Sequence, residues 1–296
     1  MTISNDIETL NYNLIKGKKY FELYAQKLKQ EILPGLFINA QGYNGSTPGP
    51  TIIANPGDTV VIRVHNELDM PTSVHWHGLD VPNVMDGVPE VEPSPKIEPG
   101  KYFDYSFKII NPPGTHMYHT HFMTQEQSMM GLGGGFIISD NNYKSSIDKD
   151  YFYMLGEFKV MGLDHGEVIP GIYDIDPMSD DFNFFTINGK CFPFTTPMEV
   201  KTNDHVRVRF ANFMHDAHPM HIHGHQFNVT ASDGNRIQQQ NRILKNTINV
   251  ASGETWDTVF IANNPGIWPY HCHIPHHMSN NMSEKAGGMF TTVVYK

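Results

Sequence analysis

The chain has 296 residues, enough for two domains of ordinary size, and its 21 Lys plus Arg against 31 Asp plus Glu give a formal net charge of −10. No basic run is present to track a phosphate backbone, so nucleic acid is not an expected partner. The only two cysteines, Cys191 and Cys272, give no disulfide framework, and no apolar run is long enough to span a bilayer.

In chain order, the lead from Met1 to Asn13 lacks both a basic and an apolar signal region. As written it predicts an unexported, cytoplasmic protein, although an exported mature form or a trimmed chain would read the same way. Apolar and polar residues then alternate from Tyr20 to Lys29, the period of a half-buried strand. Turn signals at Asn44-Gly45, Pro48-Gly49-Pro50 and Asn55-Pro56-Gly57 punctuate short β-rich runs such as Thr51–Ala54 and Thr59–Val64. Short strands at close spacing, with no long helical period, predict an all-β sandwich fold.

An internal repeat organises the rest. At a shift of 146 positions, Asp58–Asn66 lies over Asp204–Asn212, and His75-Trp76-His77-Gly78 over His221-Ile222-His223-Gly224. At a shift of 152, Asn111–His121 lies over Asn263–His273, and Gly134-Gly135-Phe136 is echoed by Gly287-Gly288-Met289-Phe290. The polar stretch 141–150 is the expected linker, dividing the chain into similar β-sandwich domains at 1–145 and 146–296.

The chemistry concentrates in Trp268–Met282. Cys272 has a histidine on each side, His277 follows five positions later and Met282 ten. On an extended strand Cys272 faces one way and His271 and His273 the other, so one strand presents donors to two metals. Thiolate, imidazole and thioether together suit copper. A Cys with two in-plane His and a weak axial Met is the blue electron-transfer arrangement. There are four His-x-His pairs, His75/His77, His119/His121, His221/His223 and His271/His273, two per repeat at equivalent positions. One such pair is a weak signal; four in register supply more imidazole than a mononuclear site uses, as a copper cluster would require. In the first repeat Thr72, Thr120 and Gln125 stand where the second has His218, Cys272 and His277, with only Met130 matching Met282. The blue site is therefore expected in the second domain alone, from His218, Cys272, His277 and axial Met282.

These four blocks, with Met282, resemble the copper-binding motifs of the multicopper oxidases, and the arrangement resembles the two-domain (small) laccases. The likeness runs from about Tyr20 to the C-terminus. It implies two cupredoxin-like Greek-key β-sandwich domains and, per functional unit, one type 1, one type 2 and two type 3 coppers. By resemblance His75 and His221 hold the type 2 copper, His77, His119 and His273 one type 3 copper, and His121, His223 and His271 the other. The implied activity couples one-electron oxidation of phenolic or similar small donors to four-electron reduction of dioxygen to water, with Asp86 as the acidic residue beside the type 2 copper. A cluster lying between domain 1 of one subunit and domain 2 of the next implies a closed homotrimer. Many three-domain relatives carry Glu where this chain has Met278, so the resemblance does not carry over a second proton relay through that position.

Other residues are less specific. His65, His165, His205 and His225 fall out of ligand register; His116, His215 and His276 adjoin ligands, where outer hydrogen bonding and simple packing weigh equally. Met117, Met123, Met129 and Met130 read first as adaptable core filler, with a Cu(I) or Mn(II) oxidase as the alternative activity. Cys191 reads as a small apolar residue. A two-domain copper nitrite reductase would carry its blue site in the first domain, and an electron carrier or copper store has no use for eight paired histidines.

Overall fold

The computed structural model describes residues 2–139 and 147–296. Four sheets, facing in pairs, build two cupredoxin-like sandwiches. In the first, Leu36–Tyr43, Lys18–Leu33, Thr59–Asn66 and Tyr102–Lys108 lie side by side. They face a sheet of Gly49–Ala54, Gly133–Ile138, Gly114–His119 and His75–His77. The alternation read from Tyr20 onward is realised in Lys18–Leu33, which turns Phe21, Leu23 and Ala25 into a core shared with Val60, Ile62, Val64, Trp76 and Tyr118. Fully burying each large aliphatic or aromatic side chain contributes about 1.5–3 kcal/mol.

The second sandwich repeats the pairing. Lys149–Phe158 runs parallel to His205–Asn212, as Lys18–Leu33 does to Thr59–Asn66. His205–Asn212 in turn is antiparallel to Thr255–Ile261, as Thr59–Asn66 is to Tyr102–Lys108. On the facing sheets His75 pairs with His119, and His221 with His271, so the sequence repeat becomes a repeat of strand register. The expected boundary between residues 145 and 146 lies outside the described residues.

Two features were not expected. Gly171–Asp174, from the second repeat, pairs in parallel with Leu36–Tyr43 and extends the first sandwich's sheet. In the opposite sense Ile3 bridges Tyr151, and Asp6 bonds Lys190 and Thr196, so the N-terminal lead crosses to the second sandwich. Each half also leans on a buried charge network. Asp150 accepts from both Arg207 and Arg209, while Arg209 also reaches Asp257 and, in the first sandwich, Thr115.

The glycine that closes two of the His-x-His blocks has a steric reason. Gly78 (φ +80) and Gly224 (φ +66) are left-handed, and a Cβ on Gly224 would sit 2.6 Å from the Trp268 ring.

Candidate metal centres

Strand alternation places the donors. Trp76, Thr120, Ile222 and Cys272, the middle residues of the His-x-His blocks, are all buried, which turns the flanking histidines to the opposite face. Antiparallel pairing then brings blocks together. His75, His77, His119 and His121 form one set, with ring centroids 5.4 Å apart for His75–His119 and 5.6 Å for His75–His121. His221, His223, His271 and His273 form another, at 5.0 Å for His223–His271 and 5.4 Å for His221–His273. Among the described residues no ring contact joins the two sets. Within one chain the structure thus brings together two half-sets rather than one cluster of eight.

The ring nitrogens are oriented for ligation. His75 Nδ1 donates to the Asp86 carbonyl at 2.9 Å, with the Asp86 carboxylate 3.4 Å away. His119 Nδ1 donates to the Thr120 carbonyl and His271 Nδ1 to the Cys272 carbonyl, each at 2.8 Å, while His221 Nδ1 donates to the Asn246 carbonyl at 2.8 Å. Each bond fixes a tautomer that leaves Nε2 bare, the usual outer support of a metal-bound imidazole. His77 Nδ1 lies 3.2 Å from His119 Nε2, and His223 Nε2 lies 2.9 Å from His271 Nε2. Nitrogens paired this closely could hold one cation between them. His221 and His223 also border a cavity of about 1170 Å³, so their set is open on one side.

His218, Cys272 and His277 converge on the far face of the Cys272 strand. Their donor atoms all lie within 4.8 Å of one another and all three residues are buried. The two Nδ1 atoms are 3.2 Å apart, and Cys272 Sγ is 3.5 Å from His277 Nδ1. Met282, the expected axial residue, is half-buried at φ +59, in a turn anchored by Asn281 Nδ2 donating to the carbonyls of Asp164 and Glu167.

Three supports were missed from sequence. Glu157 is fully buried and its Oε2 lies 3.0 Å from His218 Nε2; the Phe185 ring stacks on His277 at 3.8 Å. Asp216 stands 3.6 Å from His277 Nε2.

Burial lowers His119 to about 3 and His277 to about 2, with neighbouring rings adding to the effect. It lowers His77, His223 and His271 as well. These rings stay neutral at neutral pH, the form that binds metal. Burial pushes the Cys272 thiol up to about 12, so a metal must displace its proton. One thiolate with two imidazoles, and imidazole-only sets beside it, is a donor chemistry that fits copper.

In the first sandwich the corresponding position is filled by hydrogen bonds. Gln127 Oε1 accepts from Thr72 at 2.7 Å and Thr120 at 2.8 Å, and its Nε2 donates to the Pro71 carbonyl. This corrects the gapless alignment that put Gln125 there: Gln125 is exposed, because the short helix Thr124–Met129 turns residue 127 inward instead. Of the methionines around the second block, Met117 and Met129 are core residues and Met123 is exposed. Cys191 packs in the core, and His225 joins the His223 carbonyl to the Tyr295 hydroxyl.

Cupredoxin-like sandwiches bearing a buried cysteine–imidazole set and paired imidazole sets have the donor layout of a copper protein. Two multicopper oxidase family models match the chain, at residues 27–143 and 169–286, and the chain belongs to the multicopper oxidase family, with copper as its cofactor. The multicopper oxidase mco of Staphylococcus aureus is 32% identical over 79% of this chain and 51% of its own length. Laccase-1 of Cryptococcus neoformans var. neoformans is 29% identical over 77% of this chain and 40% of its own. The chain thus spans about half the length, or less, of these relatives. Among solved structures, a blue copper oxidase from Nitrosomonas europaea superposes with a TM-score of 0.81 at 32% identity, covering 93% of this chain and 85% of that one. The multicopper oxidase mgLAC gives 0.82 at 30% identity, covering 94% and 86%.

Proposed function

We propose that this protein is a laccase-like oxidase that takes single electrons from phenolic or similar small donors and reduces dioxygen to water. Residues 1–145 and 146–296 are its two cupredoxin domains. His218, Cys272, His277 and Met282 hold the type 1 copper, His75 and His221 the type 2 copper. His77, His119 and His273, with His121, His223 and His271, hold the type 3 pair. The observation that carries the reading is the Cys272 strand, which offers buried sulfur to one donor set and His271 and His273 to the other. Copper, when bound, supplies one-electron transfer at the thiolate set and dioxygen reduction at the histidine cluster.

The residues of the chain do the rest. The covalent strand from Cys272 to its flanking rings is the shortest link between the sets, and the His271 Nδ1 bond to the Cys272 carbonyl holds that ring in line. Asp86 fixes the His75 tautomer through its carbonyl and brings a carboxylate to the same ring, where it can pass protons. Two separated half-sets, one open to a cavity, favour completion by a second copy, with His75, His77, His119 and His121 of one subunit facing the other set of its neighbour. A closed homotrimer satisfies that head-to-tail contact.

The test is oxygen consumption by the copper-loaded protein with a phenol, Cu(I) and Mn(II) side by side, with Cys272→Ser as control. The variant is expected to lose the blue colour and donor oxidation while keeping the cluster coppers. A variant that stays blue, or wild type that consumes no oxygen with any of the three, rejects the reading.

A further inference from the structure

We infer that Glu157 is a positioning residue of the type 1 site, holding the His218 ring in its ligating tautomer and favouring the oxidised metal through its charge. This rests on the reading of His218, Cys272 and His277 as a blue copper site. Glu157 lies on Lys149–Phe158, in the sheet facing the one that carries His218 and Cys272, with His277 on the short turn Pro275–Met278 that follows, and it is fully buried.

Every contact of its carboxylate is with a donor. Oε1 accepts the backbone N–H of His215 at 2.6 Å and of Asp216 at 2.9 Å, and Oε2 accepts His218 Nε2–H at 3.0 Å. With His218 Nδ1 turned to the point it shares with His277 Nδ1 and Cys272 Sγ, the ring hydrogen sits on Nε2, so all three contacts are donors and the group meets them as an acceptor-only carboxylate. Burying a carboxylate is expensive unless it is paired or hydrogen-bonded, and mere packing does not explain a charge at this position. Two backbone donors fix its plane and leave the third contact for the ring. The bond to Glu157 then holds the tautomer that leaves Nδ1 bare at the shared point.

The partner strand supplies a second constraint. Glu157 pairs in register with Phe185, whose ring stacks on His277, so one antiparallel pair of strands braces both imidazoles. A negative charge hydrogen-bonded to a ligand ring stabilises the cupric over the cuprous state and so lowers the reduction potential. The other nearby carboxylate is less suited to this role, since Asp216 is 3.6 Å from the second imidazole and is partly exposed, hence better screened.

The experiment is a redox titration of the blue band in copper-loaded wild type, Glu157→Gln and Glu157→Asp, with thermal midpoints measured in parallel. Outer-support substitutions typically change a site by tenfold or more. Glu157→Gln should therefore shift the one-electron equilibrium toward the reduced form by roughly tenfold, a rise of about 59 mV. Glu157→Asp, which keeps the charge, should recover most of that shift. A purely structural residue would lower the thermal midpoint of both variants and leave the potential in place. A blue Glu157→Gln protein within about twofold of wild type overturns the inference. Should Glu157→Gln not fold, NMR of the reduced, diamagnetic holoenzyme decides. Wild type must show a slowly exchanging, downfield His218 Nε2–H that shifts in Glu157→Asp, and its absence from wild type refutes the assignment. A wild-type protein that binds copper without the blue band instead rejects the copper-site reading beneath it.

Discussion

Replacing Asp150 by Asn tests whether the buried charge network holds the two sandwiches in place. Asp150 accepts two bonds from Arg207, at 2.8 and 2.7 Å, and two from Arg209, at 2.8 and 3.1 Å. The Arg209 side chain is only 5% exposed, and its remaining contacts are Asp257 at 3.2 Å and the Thr115 hydroxyl at 2.7 Å. Burial pushes the Asp150 carboxyl up, but the Arg209 and Arg207 charges outweigh it and hold it well below the usual carboxylate range. A depressed carboxylate contributes its stability above the unfolded value of about 3.9 and loses it as pH falls through the folded value. The contribution is therefore intact at neutral pH. The substitution removes one of two counter-charges from a buried guanidinium and turns an amide donor toward it. Breaking a buried pair costs about 3–5 kcal/mol, and because Asp257 remains, about 3 is expected. For a chain of this size that corresponds to roughly 6–12 °C in thermal midpoint. Arg207→Met removes a more exposed partner and leaves Asp150 paired with Arg209, so it should cost only about 1 kcal/mol. Urea and thermal unfolding of the three proteins at neutral pH read this directly. An Asp150→Asn protein within about 1 kcal/mol of wild type, or one less affected than Arg207→Met, refutes the reasoning.

Gln127→Leu should destabilise by about 2–4 kcal/mol by leaving the buried Thr72 and Thr120 hydroxyls without their acceptor. The blue absorption should be untouched, and a neutral effect in urea titration would show that the hydroxyls find other partners. The copper-free protein should lose stability as pH falls from about 6.5, the unfolded histidine value. Burial holds His119 near about 3 and His277 near about 2, so over that interval the unfolded chain binds more protons than the folded one. A thermal midpoint of the copper-free protein that is flat or rising between about pH 7 and pH 5 would contradict this.

The fold was legible because its signals were local. Period-two alternation marks strands such as Lys18–Leu33, and a duplicated pattern fixes how equivalent strands pair. The donors were legible for the same reason: His-x-His on an extended strand leaves little freedom in where the rings point. Gln127 was not, since a helical turn between two blocks changes which side chain faces inward and a gapless shift does not register it. Glu157 lies 61 positions from His218, yet it carried a signal: an acidic residue in the otherwise apolar run Tyr151–Phe158. A charge on a strand buried on both faces demands a partner, and that demand could have been stated in advance. The strand Gly171–Asp174 offered nothing comparable, because parallel pairing with a segment so distant depends on the assembled halves.

That borrowed strand bears on any attempt to express the halves separately. A truncation ending before residue 171 would strip the cover from Leu36–Asn39 and leave a four-residue stretch of unpaired backbone donors and acceptors at a sheet margin. Such a margin recruits whatever extended peptide comes near, so an isolated first half would be inclined to self-associate even with its own core intact.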